Sequence, residues 1–438
     1  MTSLQHIAHS AHDAVLKHGA DATAVSIGES RSVQVEWRKG ALERIQDKTH
    51  QSLGIEIFVN GRYAGFSTND FRPEALSRFL SETVEMTKLL EPDPYRKLAS
   101  PPVGRPLLDL ELYDATIANR QATDRLDEMK RFNEIVEATL RDISTVSYTT
   151  SISDGWGSYY RLFSTGFAEA TQTSTFAKSG TVSLKDQDGK LPLGWDGTYA
   201  RHLTDLLADD HIAKTMLERA QHQLGARPID TGRYDIIIAN RGMGKVLGPL
   251  LNPLRGSSIQ QGRSLWKDRL DDHIVSKCLT IWDEPHRIRG LGSSQFDGDG
   301  FETYRRPLIE NGQLKTFLIN DYYARKLNCA RTGADTHSLE WTHGSKDLSG
   351  LVKEVQNGLL IERFLGGNCN ETTGNFSFGC AGRRIENGMI TTPFAEANLS
   401  GQLETFWKSL SHVGNDPLEQ SSNGAPSCLF VGAQVSGN

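Results

Sequence analysis

The pattern of apolar and polar positions predicts a two-layer α+β unit at the start of the chain. Apolar residues recur at helical spacing over positions 4–16, which indicates an amphipathic first helix. Period-two alternation between residues 24 and 59 predicts strands, and this pattern runs into Asn60-Gly61, a strong local signal for a hairpin. Pro73 then opens a second helical pattern. Helices and antiparallel strands in this order are typical of a sheet with helices on one face.

The rest of the chain predicts a second, mostly antiparallel lobe. A proline-rich stretch follows residue 91 and indicates an extended linker. Further helices are expected near residues 119–141, 203–224, 244–254, 321–327, 348–356 and 403–410. Alternating Ser- and Thr-rich segments over 143–184 predict a twisted antiparallel sheet, and Asn311-Gly312 and Asn387-Gly388 predict two more hairpins. We therefore expect an α+β fold with an N-terminal subdomain over 1–91, its completion over 92–228, and a β-rich C-terminal domain over 229–438.

Composition and charge narrow the class of function. The 438 residues include 48 Lys and Arg against 54 Asp and Glu, so the net charge is 48 − 54 = −6, which argues against a nucleic-acid partner. No stretch approaches the roughly 18 apolar residues of a membrane helix, and the N-terminal segment lacks the pattern of a secretory signal. The 5 cysteines are widely spaced, which favours reduced thiols. We therefore expect a cytoplasmic protein.

Motifs for familiar catalytic chemistry are missing from the sequence. None of the 13 histidines belongs to an H-E-x-x-H helix, and no G-x-S-x-G elbow occurs. His6, His9 and His12 share one helix, where solvated side chains are the simpler interpretation than a metal site. A Cys–His–Asp arrangement stays arithmetically open, for example with His337 or His412 as base, although structural cysteines are commoner than catalytic ones. We predict no catalytic residue and no metal ligand in this chain.

Three segments carry a recognisable pattern. The first is Ser293-Ser-Gln-Phe-Asp-Gly-Asp-Gly-Phe-Glu-Thr with the following Asn311-Gly312 hairpin and Asn320-Asp-Tyr-Tyr. The second is Thr373-Gly-Asn-Phe-Ser-Phe-Gly-Cys-Ala-Gly, and the third is His412-Val-Gly-Asn-Asp-Pro. Together they resemble the TldD/PmbA family, once called modulators of DNA gyrase and regarded as cytosolic metallopeptidases.

The resemblance implies a subunit without the family's catalytic metal. The catalytic TldD-type chains of the family carry H-E-x-x-x-H on the helix after the first strand of the C-terminal domain, with a distant cysteine ligand. Here that helix reads Asn240-Arg-Gly-Met-Gly-Lys, and the cysteine is expected near Ser421 or Ser422, whereas Cys428 lies several residues later. The chain thus resembles the PmbA (TldE) type. That type is implied to pair with a zinc-containing TldD-type subunit that cleaves extended peptides or trims ribosomal peptide precursors.

Two glycine-rich segments are the candidate peptide-binding sites, because glycine permits close approach of another backbone. The candidate residues are Asp297, Gly298, Asp299, Gly300, Asn320, Thr373, Gly374, Asn375 and Phe376. An equally weighted interpretation makes these segments tight turns of the scaffold. The alternative function is a stand-alone homodimeric protein that binds peptides without cleaving them, and direct binding of DNA is disfavoured by the acidic balance.

Overall fold

The computed structural model describes residues 2–437 and confirms the α+β class. The helices are α1 Thr2–Lys17, α2 Pro73–Lys88, α3 Ala122–Leu140, α4 Asp209–Gln221, α5 Met243–Leu251, α6 Gly256–Gln260, α7 Asp321–Leu327, α8 Leu348–Lys353 and α9 Leu403–Lys408. Short 3-10 turns occupy Ala115–Asn119, Leu203–Asp205, Asn240–Gly242 and Asn252–Leu254. No helix within residues 2–437 is both long enough and apolar enough to cross a membrane.

Strands form three sheets. The strands of the N-terminal half are β1 Ala22–Arg38, β2 Ala41–Val59, β3 Arg62–Thr68, β4 Thr145–Phe163, β5 Ala168–Leu184 and β6 Leu193–Ala200. Those of the C-terminal half are β7 Gly232–Ile238, β8 Ile281–Glu284, β9 Arg306–Glu310, β10 Gln313–Leu314, β11 Ser338–Trp341, β12 Asn357–Phe364, β13 Asn368–Cys369, β14 Asn375–Glu386, β15 Met389–Gln402, β16 Leu410–Val413 and β17 Cys428–Ser436.

The N-terminal half is one antiparallel six-stranded sheet in the order β3-β2-β1-β4-β5-β6. Helices α1 and α2 pack on the part of one face that carries Ile27 and Ile55. Helices α3 and α4 pack farther along the strands, on Val35 and Val182. The strands are long enough for both helix pairs, and the alternation predicted from residue 24 onward begins in the 17-residue strand β1. The sheet crosses residue 91, where we placed a subdomain boundary, and that boundary stays a prediction.

The C-terminal half is mostly antiparallel, as expected. Its larger sheet is seven-stranded and runs β12-β7-β17-β15-β14-β13, with β16 paired to β17 and a parallel pairing of β7 with β12. A smaller sheet runs β10-β9-β8-β11. Trp266, Trp407 and Phe430 are fully buried in the main core of this half.

The Asn-Gly signals are confirmed by backbone angles. Asn60 and Gly61 have φ of 50° and 72°, and the two hairpins of the C-terminal half show the same left-handed pairs. Positive φ at both central residues is the requirement of a type I′ turn, which suits asparagine and glycine.

The predicted helix over 203–224 is wrong at its start. Residues Leu203–Asp205 form a 3-10 turn, and α4 begins at Asp209. The backbone N–H of Leu207 donates to Oγ1 of Thr198 at 3.2 Å, so the chain is held on the sheet before the helix begins. Asp209 and Asp210 then occupy the first turn of α4, where negative charge is favourable. The helix predicted over 244–254 likewise ends at Leu251, and a 3-10 turn containing Pro253 follows.

Candidate functional site

The helix expected to carry a metal motif in catalytic relatives starts directly after the central strand β7. The 3-10 turn Asn240–Gly242 leads into α5. Asn240 fixes this start, because its side-chain amide donates to the carbonyl of Asp416 at 2.9 Å and its backbone N–H donates to Oγ of Ser427 at 3.1 Å. Lys245 donates to the carbonyl of Gly367 at 3.0 Å. The start of the helix is therefore held by polar contacts within the C-terminal half.

Arg241 connects this turn to the N-terminal half. Its Nη2 lies 2.7 Å from Oδ1 of Asp196, a fully buried carboxylate on β6. Arg219 of α4 reaches the same oxygen with Nη1 at 2.9 Å, and burial lowers the pKa of the Arg219 guanidinium. The other oxygen of Asp196, Oδ2, has no hydrogen-bond partner within residues 2–437. Two arginines from different halves thus neutralise one buried acid.

The segment expected to supply a cysteine ligand lies beside this helix. A Cβ on Gly244 would come within 3.4 Å of Nδ2 of Asn423. Ser421 accepts a hydrogen bond from the backbone N–H of Asn423, and the carbonyl of Ser422 accepts one from Leu339 at 2.7 Å. Serine and asparagine thus stand next to the helix, where the family pattern implies a thiolate.

These residues do not fit a divalent metal. Such ions take imidazole, thiolate or carboxylate ligands. The helix start offers the cations Arg241 and Lys245 instead. In the described part of the chain, no group of three or more His, Cys, Asp and Glu side chains is arranged to hold a metal ion. Cys428 is fully buried, its thiol contacts the carbonyl of Pro426, and burial raises its pKa well above the usual value.

A groove runs along the segment 417–424. It consists of two neighbouring cavities of about 370 and 450 Å³ that share Arg287, Ser338 and Glu419. The first cavity is lined by residues that include Arg201, Asp205 and Ser421. The second is lined by residues that include Trp341, at the end of the edge strand β11, and His343, which follows that strand. Ser421 and Gly424, which line these cavities, flank Asn423, whose side chain lies beside Gly244 of α5.

Arg201 is a half-buried cation in the wall of this groove, which Asp205 and Glu419 also line. Its Nη1 donates to the carbonyl of Ser174 at 3.1 Å and its Nη2 to the carbonyl of Leu291 at 2.9 Å. Its Nε is buried without a hydrogen-bond partner among residues 2–437, and no carboxylate of these residues pairs with it. Burial lowers the pKa of the guanidinium. A half-buried guanidinium without an ion-pair partner favours binding of an anionic group.

The first predicted binding segment joins the two halves of the chain. Nη2 of Arg161 on β4 donates to the carbonyl of Gly298 at 2.7 Å, and its Nη1 donates to that of Asp297. Oδ1 of Asp297 accepts the backbone N–H groups of Asp299 and Phe301, both at 3.0 Å. The loop is thus held by intrachain contacts.

Gly300 and Asn320 have local structural partners as well. A Cβ on Gly300 would lie about 3.1 Å from the ring of Phe163, so this glycine permits close packing on the sheet. Asn320 caps α7 by accepting the backbone N–H of Tyr323 at 2.9 Å. A small cavity of about 60 Å³ beside the loop contains Asp299 and Glu56, and burial raises the pKa of both carboxyls.

The second predicted segment lies elsewhere, in the turn before β14. Gly374 has φ +75°, and a Cβ there would lie 2.9 Å from Leu265. Phe376 is buried and its ring stacks on that of Phe378 at a centroid distance of 5.0 Å. Thr373 and Asn375 are exposed. No cavity described above contains residues of both segments, and their role in peptide binding stays a prediction.

The Cys–His–Asp arrangement that the sequence allows has no geometric support in residues 2–437. Nδ1 of His337 lies 3.1 Å from Oδ2 of the buried Asp283, which also pairs with Arg306. None of the described hydrogen bonds joins a histidine to a cysteine sulfur. His337 is therefore part of a buried ion-pair cluster.

The fold and this site define an α+β chain in which the described residues around α5 are arginine, lysine, serine and asparagine. Residues 231–437 match the model of the PmbA/TldA metallopeptidase C-terminal domain, and residues 24–87 match domain 1 of the same proteins. A crystal structure of a proposed modulator of DNA gyrase from Bacteroides thetaiotaomicron is 33% identical, with a TM-score of 0.94 and 99% of each chain covered. The chain belongs to the TldD/PmbA family.

Other relatives agree with this assignment. The protein named metalloprotease PmbA from Escherichia coli O157:H7 is 26% identical over 424 residues, which cover 95% of this chain and 93% of the relative. The crystal structure of TldE from Thermococcus kodakarensis shares the fold, with a TM-score of 0.84 over 98% of this chain and 99% of its own, at 17% identity.

Proposed function

We propose that this chain is a PmbA/TldE-like subunit that binds no metal itself and supports a zinc-containing TldD-type partner. The complex would hydrolyse extended peptides or trim peptide precursors, and this chain would position the substrate and stabilise the assembly. One observation carries the proposal: the turn before α5 carries Arg241, the first turn of α5 carries Lys245, and Arg241 forms an ion pair with Asp196. Positive charge at this position opposes metal binding.

The experiment that tests this proposal compares three samples in a metal analysis and a peptidase assay. The samples are the isolated chain, a TldD-type subunit alone, and the two co-expressed. We expect zinc only where the TldD-type subunit is present and the highest activity in the co-expressed sample. Stoichiometric zinc together with peptidase activity in the isolated chain would overturn the proposal.

The groove along 417–424 is the surface that we propose for the peptide. Arg201 supports this assignment, because a peptide carboxylate would supply the counter-charge that the guanidinium lacks. The probe is a labelled decapeptide with a free carboxyl terminus and one Asp, measured against its amidated Asn analogue. Arg201→Gln should weaken binding of the acidic probe about tenfold and leave the neutral probe unchanged. Arg233→Gln, at an exposed residue of β7 that does not line either cavity of the groove, serves as control. Equal affinities of wild type and Arg201→Gln for the acidic probe would remove the groove from the proposal.

The alternative of a stand-alone homodimeric peptide-binding protein makes a different prediction. It requires peptide affinity in the isolated chain and no gain of activity on addition of a TldD-type subunit. The gyrase-related names of the structural relatives are tested separately by retention on DNA at physiological salt. The net charge of −6 disfavours such retention.

A further inference from the structure

The six-stranded sheet has a long free edge at one end of β2. Strand β3 pairs only with residues 53–59 of β2, so residues 41–51 form the outer edge of the sheet. Every residue of this segment is exposed except Gln46, which is half-buried. We call residues 41–51 the free edge.

At every second residue of the free edge, the backbone N–H and C=O groups point away from the sheet. On β1, Thr23 directs its N–H and C=O to Ser164, which follows β4. The backbone N–H and C=O groups of odd-numbered residues of β1 therefore point toward β4 and not toward β2. Because Val35 lies opposite Ile45, the corresponding groups of odd-numbered residues of the free edge point away from β1. The N–H and C=O groups of Ile45 and Thr49 are thus directed outward. Within residues 2–437, no side chain is hydrogen-bonded to this backbone.

The opposite edge of the same sheet is closed by side chains. On β6, the carbonyl of Leu193 accepts from Nε2 of Gln223, and the carbonyl of Trp195 accepts from Nη1 of Arg219, both at 2.8 Å. Proteins usually shield an edge strand in this way, because unpaired backbone groups are a template for another strand. The free edge lacks such cover and also exposes two apolar side chains, Leu42 at 51% and Ile45 at 52%.

Charges on the free edge argue against pairing with a second copy of the same chain. Two identical free edges could pair antiparallel about a two-fold axis normal to the sheet. The axis then passes through one residue of the edge, and residues equally far before and after that residue lie opposite each other. A pair centred on Ile45 would place Glu43 opposite Asp47, and a pair centred on Gln46 would place Arg44 opposite Lys48. Like charges directly opposite each other destabilise a sheet. A non-identical strand avoids this repulsion.

We propose that the free edge receives an antiparallel strand from the TldD-type subunit and forms part of the heterodimer interface. The inference rests on the proposed function. Glu43, Arg44 and Asp47 are paired with side chains of β1, whereas Lys48 has no ion-pair partner in the described residues. The partner strand therefore carries an acidic residue opposite Lys48 and an apolar residue against Ile45.

The test is native mass spectrometry and sedimentation of the chain co-expressed with a TldD-type subunit. Ile45→Lys places a charge on the interface, and Thr49→Pro blocks pairing without removing an internal ladder bond. Both should weaken the heterodimer at least tenfold. Leu89→Lys, at a side chain that is 85% exposed on another surface, is the matched control and should leave the heterodimer unchanged. Circular dichroism and melting temperature of each variant chain confirm that it is folded.

Each outcome decides between the two proposals. A heterodimer that forms equally well with wild type, Ile45→Lys and Thr49→Pro overturns the inference and leaves the proposed function standing. A wild-type chain that never forms a heterodimer overturns both. A homodimer of this chain that Ile45→Lys dissociates would overturn the choice of a non-identical partner.

Discussion

Replacement of Arg241 by methionine tests the ion pair that joins the two halves of the chain. Methionine keeps much of the aliphatic length and removes the charge. Asp196 is fully buried, and Arg241 contributes one of the two charged contacts to its Oδ1. Loss of a hydrogen bond to a charged group costs about 1.5–3 kcal/mol, and complete loss of a buried pair costs about 3–5 kcal/mol. Arg219 stays in place, so we expect the lower range, about 1.5–3 kcal/mol.

The expected effect can be measured by urea unfolding followed through tryptophan fluorescence and by thermal melting. An unfolding entropy of about 2.1 cal/mol/K per residue gives roughly 0.9 kcal/mol/K for this chain, so the melting temperature should fall by about 2–3 °C. The control is Arg31→Met, because the Arg31–Asp47 pair is about half exposed and should be worth less than about 1 kcal/mol. Equal stability of Arg241→Met and Arg31→Met would refute the reasoning.

Three further predictions use other features of the structure. Burial raises the pKa of Glu56, so the stability of the folded protein falls as pH rises through that pKa and the buried carboxyl loses its proton. Glu56→Gln should therefore be more stable than wild type at pH 7, and denaturant titrations should show the gain shrinking toward pH 4. Gly194→Ala should lower the melting temperature sharply, because its Cβ would lie 1.9 Å from a backbone oxygen of α4. Burial raises the pKa of Cys380 to about 12, so a thiol reagent at pH 8 should label exposed Cys278 in the native protein and Cys380 only after unfolding.

Local signals account for the parts of the fold that the sequence predicted well. The Asn-Gly pairs have a backbone requirement that two residues satisfy alone, so the hairpin after Val59 needed no knowledge of distant contacts. Apolar periodicity similarly indicated α1 and α2. The helix start near residue 203 was wrong because Thr198, a residue of the neighbouring strand, holds Leu207 on the sheet. Contacts of that kind are set by the tertiary fold.

The candidate site shows the limit of sequence patterns more clearly. Glycine spacing at 297–300 predicts a close approach to this loop, but it does not reveal that the ring of Phe163 in the same chain packs against Gly300. Arg201 and Asp196 have no motif around them, and their importance follows from burial and missing or shared counter-charges. Such roles can be recognised only when the residues are placed in three dimensions.

The pairing of Arg241 with Asp196 also predicts the cost of an acidic side chain at position 241. Arg241→Glu would bring a second carboxylate close to buried Asp196, where like charges repel strongly. We therefore expect Arg241→Glu to lower the melting temperature more than Arg241→Met does. The additional change Asp196→Asn should recover most of that difference, because it removes the second charge. If Arg241→Glu were as stable as Arg241→Met, the ion pair could not be what keeps a cation at this position.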